Sequence, residues 1–248
     1  MTDTHIDTRF ELDDRQRAML AEMGVRVWMP QSVPKAHLPV APALVTEPKA
    51  ERTLKLAPLP KDIALMDWTL LQTTASACQS CGLCEGRQQA ILGEGLATAD
   101  WMVVGDAPGE DEDKSATSFA GPAGELLDNM LRALKLTREQ VYLTHAVKCK
   151  TPAGRSASQE ELLQCGAYLA RQVALVQPKV ILAMGRTAAL ALLQSTEPLG
   201  KLRSQVQSFQ GVPVVVTYPP VYLLRNQADK AKAWADLCLA ASLFKPEP

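Results

Sequence analysis

Three features that this sequence lacks count against three classes of protein. No apolar run approaches the ~18 residues of a membrane-spanning helix. The first residues, MTDTHIDTRFELDDR, carry acidic groups where a signal peptide has an apolar core. There is also no basic excess: the formal charge is −1, so the overall charge gives no support to nucleic-acid binding. We therefore expect a cytoplasmic protein, in which disulfides between the six cysteines are not expected.

The remaining composition predicts a globular chain with an appendage. Its 248 residues are 47% hydrophobic and 21% charged, which suits one α/β domain with some chain to spare. From Pro30 to Pro60 there are seven prolines and no glycine, a pattern typical of an extended tether. The sequence therefore predicts an N-terminal peptide over 1–29, a proline-rich linker over 30–62 and a folded domain over 63–248.

Short apolar runs alternate with helix-period segments in the folded domain. The runs at 101–105, 141–144, 180–184 and 214–217 predict buried strands. Helices are predicted at about 123–135, 158–176, 186–194 and 228–243. Strands separated by helices imply right-handed crossovers. The predicted fold is therefore α/β, with a central parallel four-stranded sheet flanked by helices.

Four cysteines have the pattern of a metal site. A CxxC pair is followed by one cysteine after a predicted strand and another inside the next helix. Four thiolates suit either zinc or an iron–sulfur cluster, and their spacing does not decide between them. The alternative is that they are small buried hydrophobes, against which the CxxC pair argues. Cys84 is interpreted as a spare thiol, and Cys238 as a core residue of an apolar helix. The four candidate ligands are Cys78, Cys81, Cys149 and Cys165.

From about Cys78 to Phe244 the chain resembles the family 4 uracil-DNA glycosylases, which contain a [4Fe–4S] cluster. The resemblance rests on CQSCGLCEGR, VVGDAPGEDED, FAGPAGELLDNML, REQVYLTHAVKCKTP, QPKVILAMGRTA and YLLRNQADKAKAWADL, in the order of the family. It implies a uracil-DNA glycosylase-like three-layer fold. It also implies that the four cysteines hold a [4Fe–4S] cluster.

The same resemblance indicates a degenerate uracil pocket. His145 stands where the family has an Asn that reads uracil, and Pro219 stands where it has a His that stabilises the uracil anion. Proline has no donor for that purpose. Asp106 replaces a usual Glu, whereas the uracil-stacking aromatic remains as Phe119. The simplest interpretation of His145 is a strand-end residue with no task, and the alternative is a relocated catalytic imidazole.

The N-terminal peptide combines a short amphipathic helix with an apolar extended segment. Its LAEMGVRVW stretch resembles the N-terminal peptide of the psi subunit of bacterial DNA polymerase III, which docks on the clamp loader. An apolar face on a tether is typical of a docking segment, although it could also fold back on its own domain. The predicted contact residues are Met19, Leu20, Met23, Val25 and Trp28.

These observations lead to one main hypothesis and two alternatives. The main hypothesis is a non-catalytic, psi-like accessory subunit of the DNA polymerase III holoenzyme. It would bind the tau/gamma clamp-loader subunit through the peptide and the chi subunit through the body, with direct DNA binding weak or absent. The first alternative is an active family 4-type uracil-DNA glycosylase that uses Asp106 and His145. The second is an iron–sulfur redox or sensor module, which is supported by the cysteines alone.

Overall fold

In the computed structural model the chain divides into two units, Met1–Arg52 and Thr53–Pro248. The structure describes residue 15, residues 57–152 and residues 155–243. The predicted docking residues and most of the predicted linker lie outside this part of the chain. The docking peptide and the predicted boundaries at 29/30 and 62/63 therefore stay predictions.

The second unit alternates strands and helices. The strands are β1 (Glu94–Gly95), β2 (Trp101–Gly105), β3 (Val141–His145), β4 (Val180–Met184), β5 (Val206–Phe209) and β6 (Val212–Thr217). The helices are α1 (Trp68–Ser76), α2 (Glu110–Ser115), α3 (Gly121–Ala133), α4 (Gln159–Val176), α5 (Arg186–Leu193), α6 (Leu199–Leu202), α7 (Pro220–Arg225) and α8 (Lys230–Leu243). Short 3-10 turns are formed by Ile63–Leu65, Gly82–Glu85, Arg138–Gln140 and Gln227–Asp229.

The six strands form one mixed sheet in the order β1-β3-β2-β4-β6-β5. The four central strands are parallel, as predicted, and β1 and β5 add antiparallel edges that the sequence did not predict. Strands β2, β3 and β4 are buried along their whole length, which explains their continuous apolar runs. In contrast, β1 has two residues and β5 has no buried residue, so neither has a clear strand pattern.

Helices cover both faces of the sheet. Met102 of β2 packs in one hydrophobic cluster with Leu169 of α4 and residues of α5. The next residue, Val103, packs in a second cluster with Leu127 of α3 and residues of α8. Successive strand residues point to opposite faces, so the clusters form two cores on either side of one sheet. This arrangement confirms the predicted three-layer α/β fold. No helix in the described part of the chain has the length and apolar character needed to cross a membrane.

The parallel strands place their carboxyl ends at one edge of the sheet. Gly105 at the end of β2 pairs in register with His145 of β3 and Met184 of β4, which in turn pairs with Thr217 of β6. Open parallel sheets bind ligands in the crevice at this edge. The segments that follow these strands contain the predicted pocket residues.

Gly185 forms the turn from β4 into α5 and allows Asp106 to approach. Its φ is +115°, and a Cβ at this position would lie 2.2 Å from Asp106 Oδ2. Gly185→Ala therefore combines backbone strain with a steric clash. We expect it to lower the free energy of unfolding by at least about 2 kcal/mol in urea denaturation.

The matched control is Gly200→Ala. A Cβ at Gly200 meets no atom within 4 Å. We expect its free energy of unfolding to stay within about 0.5 kcal/mol of the parent chain. Equal stability of the two variants would contradict this account of Gly185.

Candidate active site and cysteine cavity

A cleft of about 780 Å³ opens at the carboxyl edge of the sheet. Asp106, which follows β2, and Phe119, which precedes α3, both line it. His145 at the end of β3 and Pro219 after β6 line it as well. The fold thus brings all four predicted pocket residues to one site.

His145 is built into the floor of this cleft. Its side chain is buried, and Nε2 lies 3.0 Å from Oε1 of Glu112. The imidazole stacks on the Phe119 ring, with centroids 4.6 Å apart and planes at 23°. Gly105 makes room for both rings, because a Cβ there would lie 2.7 Å from Phe119 Cζ and 2.9 Å from His145 Cδ2. The other nitrogen, Nδ1, is buried and has no hydrogen-bond partner among the described residues.

Glu112 is a site residue that the sequence analysis missed. Its carboxylate accepts hydrogen bonds from the backbone N–H groups of Gly109 and Phe119, besides its contact with His145. Burial acts to raise the pKa of Glu112, but the hydrogen bond and charge of His145 and the two backbone donors outweigh it, so the pKa is lowered. A signal was present, since Glu112 stands three residues after Gly109 at the start of α2, where an acidic side chain caps a helix.

The loop that carries Phe119 is held by Arg138. Phe119 has a left-handed φ of 53°, which is uncommon for a non-glycine residue. Arg138 donates from Nη1 to the Ser118 carbonyl at 2.7 Å and from Nη2 to the Phe119 carbonyl at 3.1 Å. Ion pairs with Glu94 at 2.8 Å and Asp128 at 3.0 Å orient the guanidinium. These contacts stabilise the backbone conformation that presents the Phe119 ring.

Asp106 lies against the first turn of α5. Its Oδ1 accepts a hydrogen bond of 2.9 Å from the backbone N–H of Ala188. Burial raises the pKa of Asp106, while the backbone hydrogen bonds of Ala188 and Thr187 oppose that rise. The partial positive charge of the helix N-terminus also favours the carboxylate. Asp106 is therefore a fixed carboxyl group in the cleft wall.

Pro219 offers no hydrogen-bond donor to the cleft. It precedes α7, and its carbonyl accepts from the backbone N–H of Tyr222 at 3.0 Å. Tyr222 stacks on Tyr218 at 4.9 Å, and Arg203 lies 4.4 Å above the Tyr218 ring. Among the described residues that line the cleft, His145 is the single histidine.

The cleft also has basic residues at its rim. Arg155 and Arg225 both line it. Arg155 is engaged by Glu161 at 2.8 Å, whereas Arg225 ends α7 on an exposed face. The acidic residues Glu110 and Asp111 also line the cleft, so its lining carries charges of both signs.

The four candidate cysteine ligands line a second, smaller cavity. They come from the loop after α1, the loop after β3 and helix α4. Cys84 lines the same cavity, so the thiol interpreted as spare lies with the others. Cys238 is exposed on α8, so the prediction that it is a core residue is wrong. Its helix has an outward face that the apolar sequence LCLAAS did not reveal.

Hydrogen-bond donors surround the thiols in this cavity. Arg87 donates from Nη1 to Cys149 Sγ at 2.9 Å and from Nη2 to the Cys78 carbonyl at 2.8 Å. Lys148 is buried at the cavity wall, and the Tyr168 hydroxyl is buried there without a hydrogen-bond partner among the described residues. Within the described ranges, no three His, Cys, Asp or Glu side chains form a group that could hold a single metal ion. The chemistry of this lining suits an anionic group bound by thiolates, because five thiols line the cavity and the Arg87 guanidinium donates to one of them.

Comparison with known proteins identifies the family. Residues 92–238, more than half of the chain, match the model of the Uracil DNA glycosylase superfamily. This chain belongs to that superfamily. The matched residues run from the segment before β1 into α8 and include all six strands of the sheet.

Curated relatives of this superfamily member carry a narrower name. The chain is similar to proteins named type-4 uracil-DNA glycosylase from three organisms. With the Thermotoga maritima protein it shares 35% identity over 68% of this chain and 91% of that protein. With the Pyrobaculum aerophilum protein it shares 34% identity over 70% of this chain and 93% of that protein. With the Saccharolobus solfataricus protein it shares 36% identity over 63% of this chain and 77% of that protein.

These relatives overturn the main hypothesis. The expectation of a non-catalytic, psi-like polymerase III subunit is wrong, because these relatives, at 34% to 36% identity, are named glycosylases. The expected tau/gamma and chi partners, and the expectation that direct DNA binding is weak or absent, are likewise not supported by these relatives. The hypothesis gave two substituted positions and a peptide of about 16 residues more weight than a resemblance that covers most of the folded domain.

Glu112→Gln tests the network at the cleft floor. The amide turns an –NH₂ donor toward groups that are themselves donors, so we expect a loss of about 2–3 kcal/mol in unfolding free energy at neutral pH. The pKa of Glu112 is lowered from the ordinary value of 4.5, so its stabilisation is present above that value. It is lost as the pH falls through the lowered pKa, and the variant should then approach the parent chain.

The measurement is urea denaturation over a pH series. Glu125→Gln on α3 is the matched control, since Glu125 is exposed. We expect the control to change the unfolding free energy by less than about 0.5 kcal/mol at any pH. A Glu112→Gln protein as stable as the parent at neutral pH would exclude the proposed network.

Proposed function

We propose that this protein excises uracil from DNA. The proposal rests mainly on one observation. His145 stacks on Phe119 and contacts Glu112 on the floor of a cleft that Asp106 also lines. Glycosylases flip the target base out of the helix and read its edge in a pocket of this kind. The relatives named type-4 uracil-DNA glycosylase support the same activity.

Two groups of the cleft match the charges that develop during excision. Breaking the bond between C1′ of the sugar and N1 of uracil leaves positive charge on the sugar and negative charge on the base. Water then adds to C1′, and its proton is taken up by the base or a cleft residue. In this proposal the Asp106 carboxylate stabilises the sugar, and the His145 imidazole contacts the base. Fixed groups in a partly buried site act more strongly than the same groups in water.

Glu112 gives His145 a defined role in that contact. An ionised carboxylate only accepts hydrogen bonds, so the imidazole nitrogen that faces it, Nε2, carries a proton. Nδ1 is then the nitrogen left for the base. A neutral imidazole would accept there from uracil N3–H, and a protonated one would donate to a uracil oxygen. In the protonated form, His145 would thus combine base reading with stabilisation of the leaving base.

We also propose that Cys78, Cys81, Cys149 and Cys165 hold a [4Fe–4S] cluster. The support is the single cavity that all four line, together with Arg87, which donates to Cys149, and the buried Lys148. When bound, such a cluster would cross-link three segments of the fold, and folding can depend on a metal group of this kind. No catalytic step is assigned to it.

The test of function is uracil release from an oligonucleotide with one uracil. We expect release by the parent chain, under single-turnover conditions, from single- or double-stranded DNA. His145→Ala and Asp106→Asn should each lower the rate at least ~100-fold, because each removes a group that meets developing charge. Strand cleavage after alkali treatment measures the abasic product.

Controls make this assay decisive. Cys238→Ser alters an exposed residue of α8 and should keep the parent rate. A type-4 enzyme serves as positive control. If the positive control releases uracil and the parent chain does not, the proposed activity is wrong. If His145→Ala keeps the parent rate, the role given to His145 is wrong although the activity stands.

The cluster proposal is tested by measuring the iron and sulfide content of the purified protein. Protein purified without oxygen should contain about four iron atoms and four sulfides per chain. Cys165→Ala should lose most of both, because it removes a buried ligand. A parent chain that binds zinc instead, or binds no metal after reconstitution with iron and sulfide, would exclude the cluster.

A further inference from the structure

We propose that Cys84 is a fifth cluster-facing thiol that can replace Cys78 as a ligand. The inference rests on the proposed cluster and assigns a role that the four-cysteine set leaves out. It begins from the wall of the cysteine cavity, which Cys84 shares with the four candidate ligands. A cluster with four ligands would then have five thiols within its cavity.

Burial divides these five thiols into an inner and an outer group. Cys81, Cys149 and Cys165 are buried, with exposed fractions of 6%, 4% and 5%. Cys78 and Cys84 are both partly exposed. The inner group therefore supplies three ligands from three segments of the chain. The fourth ligand comes from the outer group, which contains two cysteines.

The two outer cysteines are placed symmetrically along the chain. Each stands three residues from Cys81, one before it and one after it, which gives the spacing Cys78-x₂-Cys81-x₂-Cys84. Iron–sulfur proteins use C-x₂-C-x₂-C runs to place several thiolates on one cluster. Cys84 therefore stands as near to Cys81 along the chain as Cys78 does, and both line the same cavity.

The local backbone turns Cys84 toward the cavity. The 3-10 turn Gly82–Glu85 begins directly after Cys81, and the Cys84 N–H donates to the Cys81 carbonyl at 3.3 Å. This turn keeps Cys84 against the same cavity as Cys81. A cysteine that served only as a small hydrophobe would be expected among the buried residues, whereas Cys84 is partly exposed.

The contacts of Arg87 are compatible with an exchange between the outer thiols. Its Nη2 donates to the carbonyls of Ser76 and Cys78, and its Nη1 donates to Cys149 Sγ. The guanidinium is thus fixed by backbone groups and an inner thiol rather than by the Cys78 sulfur. Loss of the Cys78 thiol leaves these contacts in place, so the cavity keeps its cation when Cys84 becomes the ligand.

The experiment compares cysteine variants of the full chain after anaerobic reconstitution with ferrous iron and sulfide. The variants are Cys78→Ala, Cys84→Ala, the double variant and Cys165→Ala. Iron per chain, visible absorbance and the EPR spectrum of the reduced protein are measured, and circular dichroism reports folding. None of these readouts depends on uracil release.

We expect each single outer variant to bind iron at close to the parent level. The EPR spectrum of Cys78→Ala should differ from that of the parent, since its fourth ligand has changed. The double variant and Cys165→Ala should lose cluster occupancy by at least ~10-fold. Cys238→Ala, on the exposed face of α8, is the matched control and should behave as the parent.

Three results would overturn the proposal. The first is that Cys78→Ala alone loses the cluster as completely as Cys165→Ala, a result that decides the question even if the double variant does not fold. The second is that the double variant keeps its iron. The third is a parent chain that binds no cluster, which would also end the cluster proposal. Uracil release by that cluster-free chain would still support the proposed activity.

Discussion

One buried carboxylate organises the floor of the cleft. Glu112 joins the first turn of α2, the loop before α3 and the end of β3, because its oxygens accept from Gly109, Phe119 and His145. A buried carboxylate needs several donors to remain ionised, and here the backbone supplies two of them. The position of the Phe119 ring and the orientation of the His145 imidazole are thus fixed by one group. The first turn of α2, the loop before α3 and the end of β3 therefore depend on one another for their positions in the site.

The cysteine cavity and the cleft are joined by the loop after β3. His145 ends that strand in the cleft, and Cys149 lies four residues later in the cavity. Between them, Lys148 donates from Nζ to Thr144 Oγ1 at 2.7 Å and to the His145 carbonyl at 2.6 Å. Its neighbours Ala146 and Val147 are fully buried. A cluster that fixed Cys149 would therefore also restrain the backbone of His145. In this way a cluster outside the cleft would affect the position of a residue inside it.

The sequence predicts this fold best where both faces of a strand are buried. The four parallel strands were found from apolar runs, whereas β1 and β5 lack such runs because they lie at the exposed edges. The pocket residues were found through the resemblance to the family 4 glycosylases. Arg138 was missed because its role arises from contacts with Phe119 that local patterns do not encode. Glu112 had a local capping signal, but that signal does not show its contacts with Phe119 and His145. The wrong functional hypothesis came from reading positions 145 and 219 one at a time.

The two substituted positions have a joint consequence for the chemistry. In the family that the sequence resembles, the base-reading Asn and the anion-stabilising His come from different strands. Here the second position is Pro219, after β6, and the imidazole is His145, at the end of β3. The sheet order places β2 and β4 between these strands, so their ends are about 14 Å apart at the usual strand spacing. In the proposed mechanism the imidazole therefore acts from the β3 side of the sheet edge and not from the β6 side. Negative charge on a departing base would then be stabilised by the residue that is also proposed to read the base.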